Sequence, residues 1–275
     1  MALTPHDVEL GGLVTRYYEG GDPTAPSVLL VHDGSYGSDA LLSFGAVAEL
    51  LADEFHVVLP DLLGWGGSAK SHRFDESLYA PRIRQLAQLA SHLGITEVHA
   101  VGNSFGGSLL LHAAIEKALP LASVTSIAGT GGPWRSETGL TAMADYRTTE
   151  ADARRISNLV VTDDVASAEH VEHRYRNSTI PGHWESIRAW GLKNPDAPAA
   201  APGGSYPESL GTVSVPVLLV EGDSDVMVDA GWTGKAAEAA PSVRTRGIDT
   251  GHSPNIDRPD VVADLVREVV HQTRP

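Results

Sequence analysis

The stretch Gly102-Asn103-Ser104-Phe105-Gly106 fits one kind of local structure closely. The strand-like run 98–101 precedes it, and 108–117, rich in Leu and Ala, follows it as a predicted helix. A strand that turns sharply into a helix at a serine is a nucleophile elbow, in which small flanking residues let strand and helix approach closely. The turn exposes the serine hydroxyl, and the N-terminus of the new helix directs its positive dipole end at the same point.

Two later loops supply the partners that a serine nucleophile needs. A serine hydroxyl becomes reactive when a base, usually a histidine oriented by a carboxylate, removes its proton. Asp225 lies beyond the carboxyl end of the predicted buried strand 215–220, and His252 lies in the loop before the last helix. In folds built on this elbow, the three residues follow one another along the chain in the order Ser, Asp, His, and this sequence has the same order. Asp223 and Asp229 are alternative positions for the acid.

Composition and charge exclude several classes of protein. The chain has no cysteine, which removes disulfides, thiolate metal sites and a cysteine nucleophile together. Its formal net charge of −15 opposes binding to nucleic acid or to anionic membranes. Apolar runs are only strand-length, and residues 1–13 have neither a basic start nor an apolar core. We therefore expect a cytoplasmic protein with no membrane partner.

No phosphate-binding glycine loop or dinucleotide fingerprint is visible in the sequence. The expected partner is a small-molecule substrate, with no cofactor and no metal, because the three-residue chemistry is complete without them. The sequence leaves open whether the chain forms a homo-oligomer.

Strand and helix patterns alternate along most of the chain, which predicts an α/β fold. Strands are predicted near 15–18, 27–31, 56–59, 97–101, 123–127, 215–220 and 242–246, with helices between them, for example at 80–93 and 260–273. This alternation favours a mostly parallel sheet covered by helices on both faces. The pattern breaks at 133–207, which has helical signals only and ends in a linker-like stretch, 194–204. We predict a core of 1–132 and 208–275 with an inserted helical lid at 133–207.

These features resemble the α/β-hydrolase fold superfamily. The likeness is carried by the elbow, the acid loop 222–226, Gly251-His252, the hairpin strand 15–21 and the Pro-Asp-x-x-Gly-x-Gly-x-Ser loop 60–68. The resemblance implies Asp225 as the acid. Oxyanion donors are expected at the backbone N–H of Phe105 and, by resemblance, at Gly34 in the loop His32-Asp33-Gly34-Ser35. The superfamily usually has glycine where Asp33 stands, and His32 is expected to brace the loop.

A closer resemblance is to the meta-cleavage product hydrolases, which cleave a carbon–carbon bond in ring-opened dienoates from aromatic catabolism. It is carried by 102–107, by His173-Arg174-Tyr175, and by the stretches 161–164 and 180–182. The resemblance implies that Asn103 and Arg174 hold the carboxylate end of the substrate, a task that suits a guanidinium fork. The sequence departs from the family at Ser253, where a tryptophan is usual. A surface ion pair of Arg174 with Glu169 or Glu172 is the alternative.

The predicted lid contains two candidate helices. On 164–177, a stripe of Val165, Ala168, Val171 and Tyr175 recurs at helical spacing, with Arg174 beside it; on 183–190, Trp184, Ile187 and Trp190 fall nearly in line. Such residues serve either in packing of lid on core or in the wall of a pocket.

The sequence predicts a cofactor-independent serine hydrolase. Ser104 attacks a carbonyl carbon, His252 moves the proton and Asp225 holds the imidazole, while the amides of Gly34 and Phe105 bind the oxyanion. Cleavage of a carbon–carbon bond in a dienoate or similar ketone is expected. A carboxylesterase or lactonase, and a small-molecule receptor built on the same fold, are the alternatives.

Overall fold

The computed structural model describes residues 2–162, 165–192 and 206–273, and within these ranges eight strands form a single sheet. The strands are β1 Thr4–Leu10, β2 Leu13–Gly20, β3 Ser27–Val31, β4 His56–Pro60, β5 Val98–Asn103, β6 Leu121–Ile127, β7 Val217–Gly222 and β8 Arg244–Ile248. Their order across the sheet is β1-β2-β4-β3-β5-β6-β7-β8. The pairs β1–β2 and β2–β4 are antiparallel, and all other pairs are parallel. The predicted mostly parallel sheet is confirmed.

Each strand predicted from the sequence overlaps an observed strand, but β1 was not predicted. Its residues lack a continuous apolar run because β1 is a half-exposed edge strand. The hairpin turn to β2 is Gly11-Gly12, with φ of 59° and 81°, and Leu10 pairs with Leu13 across it. A two-residue Gly-Gly loop between alternating apolar residues is the signal that indicates this strand.

Helices cover both faces of the sheet, as the alternating pattern predicts. The described helices are α1 Ala40–Leu51, α2 Ala80–His92, α3 Phe105–Ile115, α4 Glu137–Thr141, α5 Glu150–Val160, α6 Ala168–Ser178, α7 His183–Arg188, α8 Trp232–Ala239, α9 Pro254–Asp257 and α10 Pro259–Thr273, with 3₁₀ turns at Ala189–Gly191 and Glu208–Thr212. Apolar residues of α1 and α10 form one buried cluster, and those of α2, α3 and α8 form another. None of the described helices is long and apolar enough to cross a membrane.

The helices α4 to α7 lie between β6 and β7, in the region predicted to be the lid. We call these four the inserted helices. The helix predicted at 164–177 begins at Ala168, because the Ser167 side chain caps it by accepting a hydrogen bond from His170 N. Asp163, Asp164 and the predicted linker 194–204 lie outside the described residues.

Of the stripe predicted for the helix at 164–177, Val171 is buried and Val165 and Tyr175 are half-buried. The buried positions of α6 are His170, Val171, Arg174 and Ser178, whereas Ala168 is exposed. The buried face is rotated toward polar side chains because it docks on polar loops of the core. A pattern that counts only apolar residues does not register such a face.

His183 joins the inserted helices to two core loops. Its Nε2 accepts a hydrogen bond from Gly37 N at 2.9 Å, and its Nδ1 lies 3.0 Å from Gly64 O, to which it donates. This geometry requires neutral imidazole with the proton on Nδ1. The ring is fully buried, and burial lowers the pKa of His183 to about 4.

The backbone at Gly106 leaves no room for a side chain, so a substitution there should destabilise the fold. A Cβ atom there would collide with the carbonyl oxygens of Val31 and His32. We expect Gly106→Ala to lower the free energy of unfolding in urea by at least about 2 kcal/mol. In the control Gly234→Ala, on α8, the new methyl group meets nothing within 4 Å, and helix propensity should raise stability by up to about 1 kcal/mol. Equal urea midpoints for Gly106→Ala and wild type would contradict the close approach.

Because His183 is neutral in the folded protein, the free energy of unfolding should depend on pH. Since its folded-state pKa lies below the ordinary value of 6.5, its contribution is complete above pH 6.5 and is lost as the pH falls toward about 4. We expect stability to fall over this window by up to about 3 kcal/mol from this group. His183→Gln should be less stable than wild type at neutral pH but show a shallower decline on acidification. The exposed His92 provides the control, because His92→Gln should keep the wild-type slope. Identical slopes in all three proteins would count against the prediction.

Candidate active site

Ser104 occupies a strained turn between β5 and α3. Its φ is 53°, in the left-handed region that residues other than glycine rarely adopt. The turn is held by a hydrogen bond from Ser104 N to Ile127 O at 2.7 Å. A Cβ atom on Gly102 would lie against the backbone of Gly106, so both glycines are needed for strand and helix to meet. The serine side chain is therefore fixed at the tip of the turn, at the N-terminus of α3.

The structure brings Ser104, His252 and Asp225 together in one chain of hydrogen bonds. Ser104 Oγ lies 2.8 Å from His252 Nε2, and His252 Nδ1 lies 2.8 Å from Asp225 Oδ2. The other carboxylate oxygen of Asp225 accepts from Met227 N at 2.7 Å, so the carboxylate is held from both sides. The side chains of His252 and Asp225 are 4% and 2% exposed. Asp223, an alternative acid, is exposed to solvent.

Asn103 braces the histidine loop. Its Nδ2 donates to His252 O at 3.0 Å, and its Oδ1 accepts from Ser253 Oγ at 3.3 Å. The side chain is fully buried. Both ends of the Asn103 amide thus bond to the histidine loop, and its contact with a substrate stays a prediction. Ser253, at the point where the family resemblance calls for tryptophan, supplies the hydroxyl for this arrangement.

The two predicted oxyanion donors lie side by side. A Cβ atom on Gly34 would be 2.8 Å from Phe105 Cβ. Phe105 is the first residue of α3, where backbone N–H groups have no partner within the helix. His32 braces the Gly34 loop, since its Nε2 accepts from Leu62 N at 2.9 Å and its Nδ1 donates to Asp33 O at 2.6 Å. An anion at this point would face N–H groups and the positive end of a helix dipole.

A cavity of about 820 Å³ opens over Ser104 and His252. Its walls are largely apolar and are formed by residues of the core and of the inserted helices. The predicted stripe of Trp184, Ile187 and Trp190 contributes to one wall, and Phe105 and Tyr79 contribute from the core. These two core rings stack with centroids 5.3 Å apart. The size and lining suit a small organic molecule.

Sequence reasoning missed Arg82, a buried cation behind this aromatic wall. Its guanidinium lies 5.1 Å, 5.6 Å and 5.4 Å from the ring centroids of Trp65, Phe105 and Trp190. Nε and Nη1 donate to backbone carbonyl oxygens, and burial lowers the pKa of Arg82 to about 10. Helical spacing could have revealed it, because Arg82 falls on the apolar face of α2 with Ile83 and Leu86.

Arg174 is also fully buried. Its Nε donates to Ser157 Oγ at 3.1 Å, and its Nη1 donates to Ser35 Oγ at 2.6 Å and to Tyr36 O at 3.0 Å. The predicted alternative, a surface ion pair with Glu169 or Glu172, is wrong because both glutamates are exposed while Arg174 is buried. Among the described residues, Ser35 and Tyr36 line the cavity and Arg174 does not. The guanidinium reaches the loop that forms the wall rather than the space inside it.

Asp33 carries the compensating charge. It lines the cavity but is only 3% exposed, and it accepts hydrogen bonds from Ser35 N at 2.8 Å, from Ser35 Oγ, and from Ser38 Oγ at 2.6 Å. Burial opposes ionisation of Asp33, but the charge of Arg174 and the two serine hydroxyls outweigh it and hold the pKa below its ordinary value. Ser35 Oγ thus connects a carboxylate to a guanidinium.

Comparison with known proteins agrees with this architecture. A model of the alpha/beta hydrolase family matches residues 28–265. The chain is 28% identical over 178 residues to a 2-hydroxy-6-oxo-2,4-heptadienoate hydrolase of Pseudomonas putida, covering 64% of this chain and 63% of that protein. It is 25% identical over 186 residues to a 2-hydroxymuconate semialdehyde hydrolase of a Pseudomonas species, covering 66% and 64%. The matches therefore span less than two thirds of the length of these relatives.

Solved structures show the same fold over the whole chain. A variant of the meta-cleavage product hydrolase from Pseudomonas fluorescens superposes with a TM-score of 0.84 at 21% identity and covers 98% of both chains. A carboxylesterase from Bacillus subtilis superposes with a TM-score of 0.82 at 17% identity, covering 98% of this chain and 92% of its own. With its sheet order, its serine turn and a family match that extends from β3 into α10, this chain belongs to the alpha/beta hydrolase family.

Proposed function

We propose that this protein is a cofactor-independent serine hydrolase in which Ser104 is the nucleophile, His252 the base and Asp225 the acid. The observation that carries the proposal is the continuous hydrogen-bond chain from Asp225 through His252 to Ser104, which ends in a cavity of about 820 Å³. A receptor would need the cavity but not the proton-transfer chain.

The geometry supports acyl transfer in two steps. As Ser104 Oγ attacks a carbonyl carbon, His252 Nε2 takes its proton, and Asp225 Oδ2 stabilises the imidazolium that forms. Backbone N–H groups of Gly34 and Phe105 stabilise the negative charge on the carbonyl oxygen. His252 then gives its proton to the leaving group, which departs and leaves an acyl group on Ser104. Water, deprotonated by His252, releases the acid and restores the serine.

An ester is the substrate that the cavity favours. Its walls are mainly aromatic and aliphatic, and the buried carboxylate among its lining residues, that of Asp33, is already matched by the charge of Arg174. A neutral acyl group can fill such a space without leaving a charge unpaired. Expulsion of an alcohol needs no more than the one proton that His252 holds.

Cleavage of a carbon–carbon bond is the second candidate, and the relatives named as dienoate and semialdehyde hydrolases favour it. In this version the dienol substrate first becomes a ketone, and attack by Ser104 expels the carbon leaving group as a stabilised enolate. The position of Arg174 weighs against it. The guanidinium lies behind Ser35 and Tyr36 and near Asp33, and not in the cavity, where it would have to contact the substrate carboxylate.

Removal of the nucleophile tests the proposal. We expect wild type to hydrolyse short-chain nitrophenyl esters, and Ser104→Ala to lose roughly 10⁶-fold in turnover while it keeps its fold. The exposed Ser91 on α2 gives the control, because Ser91→Ala should keep full activity. The panel includes a ring-opened dienoate, whose cleavage by wild type would favour the carbon–carbon version. Near-normal ester turnover by folded Ser104→Ala would remove this serine from the mechanism.

The role of the acid is tested by a pair of neighbouring carboxylates. Asp225→Asn can present an amide N–H to His252 Nδ1 and favour the wrong tautomer, so we expect kcat/KM to fall by about 10⁴-fold. Asp223→Asn makes the same chemical change at an exposed position two residues earlier and should have little effect. The reverse ranking in an ester assay would assign the acid to Asp223.

A further inference from the structure

A bridged pair of buried charges forms the polar end of the cavity. Asp33 lines the cavity, and the guanidinium of the fully buried Arg174 lies behind the lining residues Ser35 and Tyr36. Ser35 Oγ links them, because it donates to Asp33 Oδ1 and accepts from Arg174 Nη1 at 2.6 Å. The neighbouring His170 adds no charge, since burial and the nearby Arg174 lower its pKa to about 4. The net charge of the bridged pair is therefore close to zero.

The other charged side chains that line the cavity lie at its exposed rim. They are Arg135, Arg188 and Glu185. Arg135 donates to Gly139 O and Arg188 donates to Ala144 O. Water screens exposed groups of this kind strongly, so their effect on a bound substrate is small beside that of a buried charge.

We propose that Asp33 is a specificity-determining residue. It is an internal counterion that neutralises the charge of Arg174, and the site therefore selects substrates with neutral acyl groups over those with anionic ones. The inference rests on the proposed serine hydrolase activity and deepens it by naming the class of substrate. Asp33 lines the cavity and directly precedes Gly34, one of the two proposed oxyanion donors, so its charge lies close to the part of the cavity that receives the acyl group.

Electrostatics gives the expected size of the effect. An anionic substrate group at this end would lie close to Asp33, which lines the cavity, and farther from Arg174, which does not. At an effective dielectric constant of about 20, a unit charge about 7 Å away changes binding roughly tenfold to a hundredfold. Without the negative charge of Asp33, Asp39 is the remaining buried carboxylate that acts on Arg174, and more of the positive charge of Arg174 would reach the substrate.

Asp33→Asn removes the charge and keeps the shape. The Asn Oδ1 atom can still accept from Ser35 N and Ser35 Oγ, and its Nδ2 group can donate to Ser38 Oγ, because a hydroxyl accepts as well as donates. The variant should therefore keep the loop conformation while the pair changes from neutral to positive.

The experiment compares two nitrophenyl esters whose acyl chains end in a methyl group or in a carboxylate, such as the pentanoate and the hydrogen glutarate. The quantity measured is the ratio of kcat/KM for the anionic ester to that for the neutral ester. Wild type should favour the neutral ester. Asp33→Asn should raise the ratio about tenfold or more, and the double variant Asp33→Asn/Arg174→Gln should return it toward the wild-type value.

Glu185→Gln is the matched control, since it removes one negative charge from the exposed rim of the same cavity. It should change the ratio much less than Asp33→Asn does. A wild-type preference for the glutarate ester would overturn the proposal even if no variant folds. An unchanged ratio in folded Asp33→Asn, or an equal shift in Glu185→Gln, would also overturn it. Absence of turnover of either ester by wild type would instead contradict the proposed hydrolase activity.

Discussion

The contact between β5 and α3 at Ser104 is the constraint on which the other parts of the site depend. Gly106 lies directly against the carbonyl oxygens of Val31 and His32, so the N-terminus of α3 is tied to the end of β3 as well as to β5. This contact places the Gly34 loop beside Phe105. It also forces Ser104 into a left-handed backbone conformation, with its hydroxyl toward the cavity. The strain at this residue is sustained because packing on both sides leaves the turn no alternative.

Polar docking holds the inserted helices on this framework. His183 bridges Gly37 and Gly64 as a neutral ring, and Asn177 and His173 both bond to Asp39 at the start of α1. Buried polar groups of this kind stabilise the packing of one part of a protein on another only when each group has a hydrogen-bond partner. Apolar residues of the same helices serve both purposes: Ile156 and Ile187 belong to the main buried cluster, and Ile187 and Trp184 also line the cavity.

The two buried guanidinium groups near the cavity are compensated in different ways. Arg82 lies among aromatic rings and backbone carbonyl oxygens, with no carboxylate within 4 Å of it among the described residues. Arg174 is linked through a serine hydroxyl to Asp33. Polarisable rings and carbonyl dipoles stabilise a cation without cancelling its charge, whereas a carboxylate cancels it. This difference gives the two arginines different consequences for a bound substrate.

The sequence by itself determined the parallel sheet, the serine turn and the order of Ser104, Asp225 and His252. These follow from local signals: continuous apolar runs for buried strands, glycines where backbones approach closely, and chain order. Only the tertiary structure decided what Asn103, Asp33, Arg82 and Arg174 contact. Their roles depend on partners from distant parts of the chain, and although helical spacing places Arg82 on the apolar face of α2, no pattern in the sequence identifies those partners. The sequence signal of a charged residue is the same whether its side chain faces water or a buried partner, so only the fold shows which of the two environments it has.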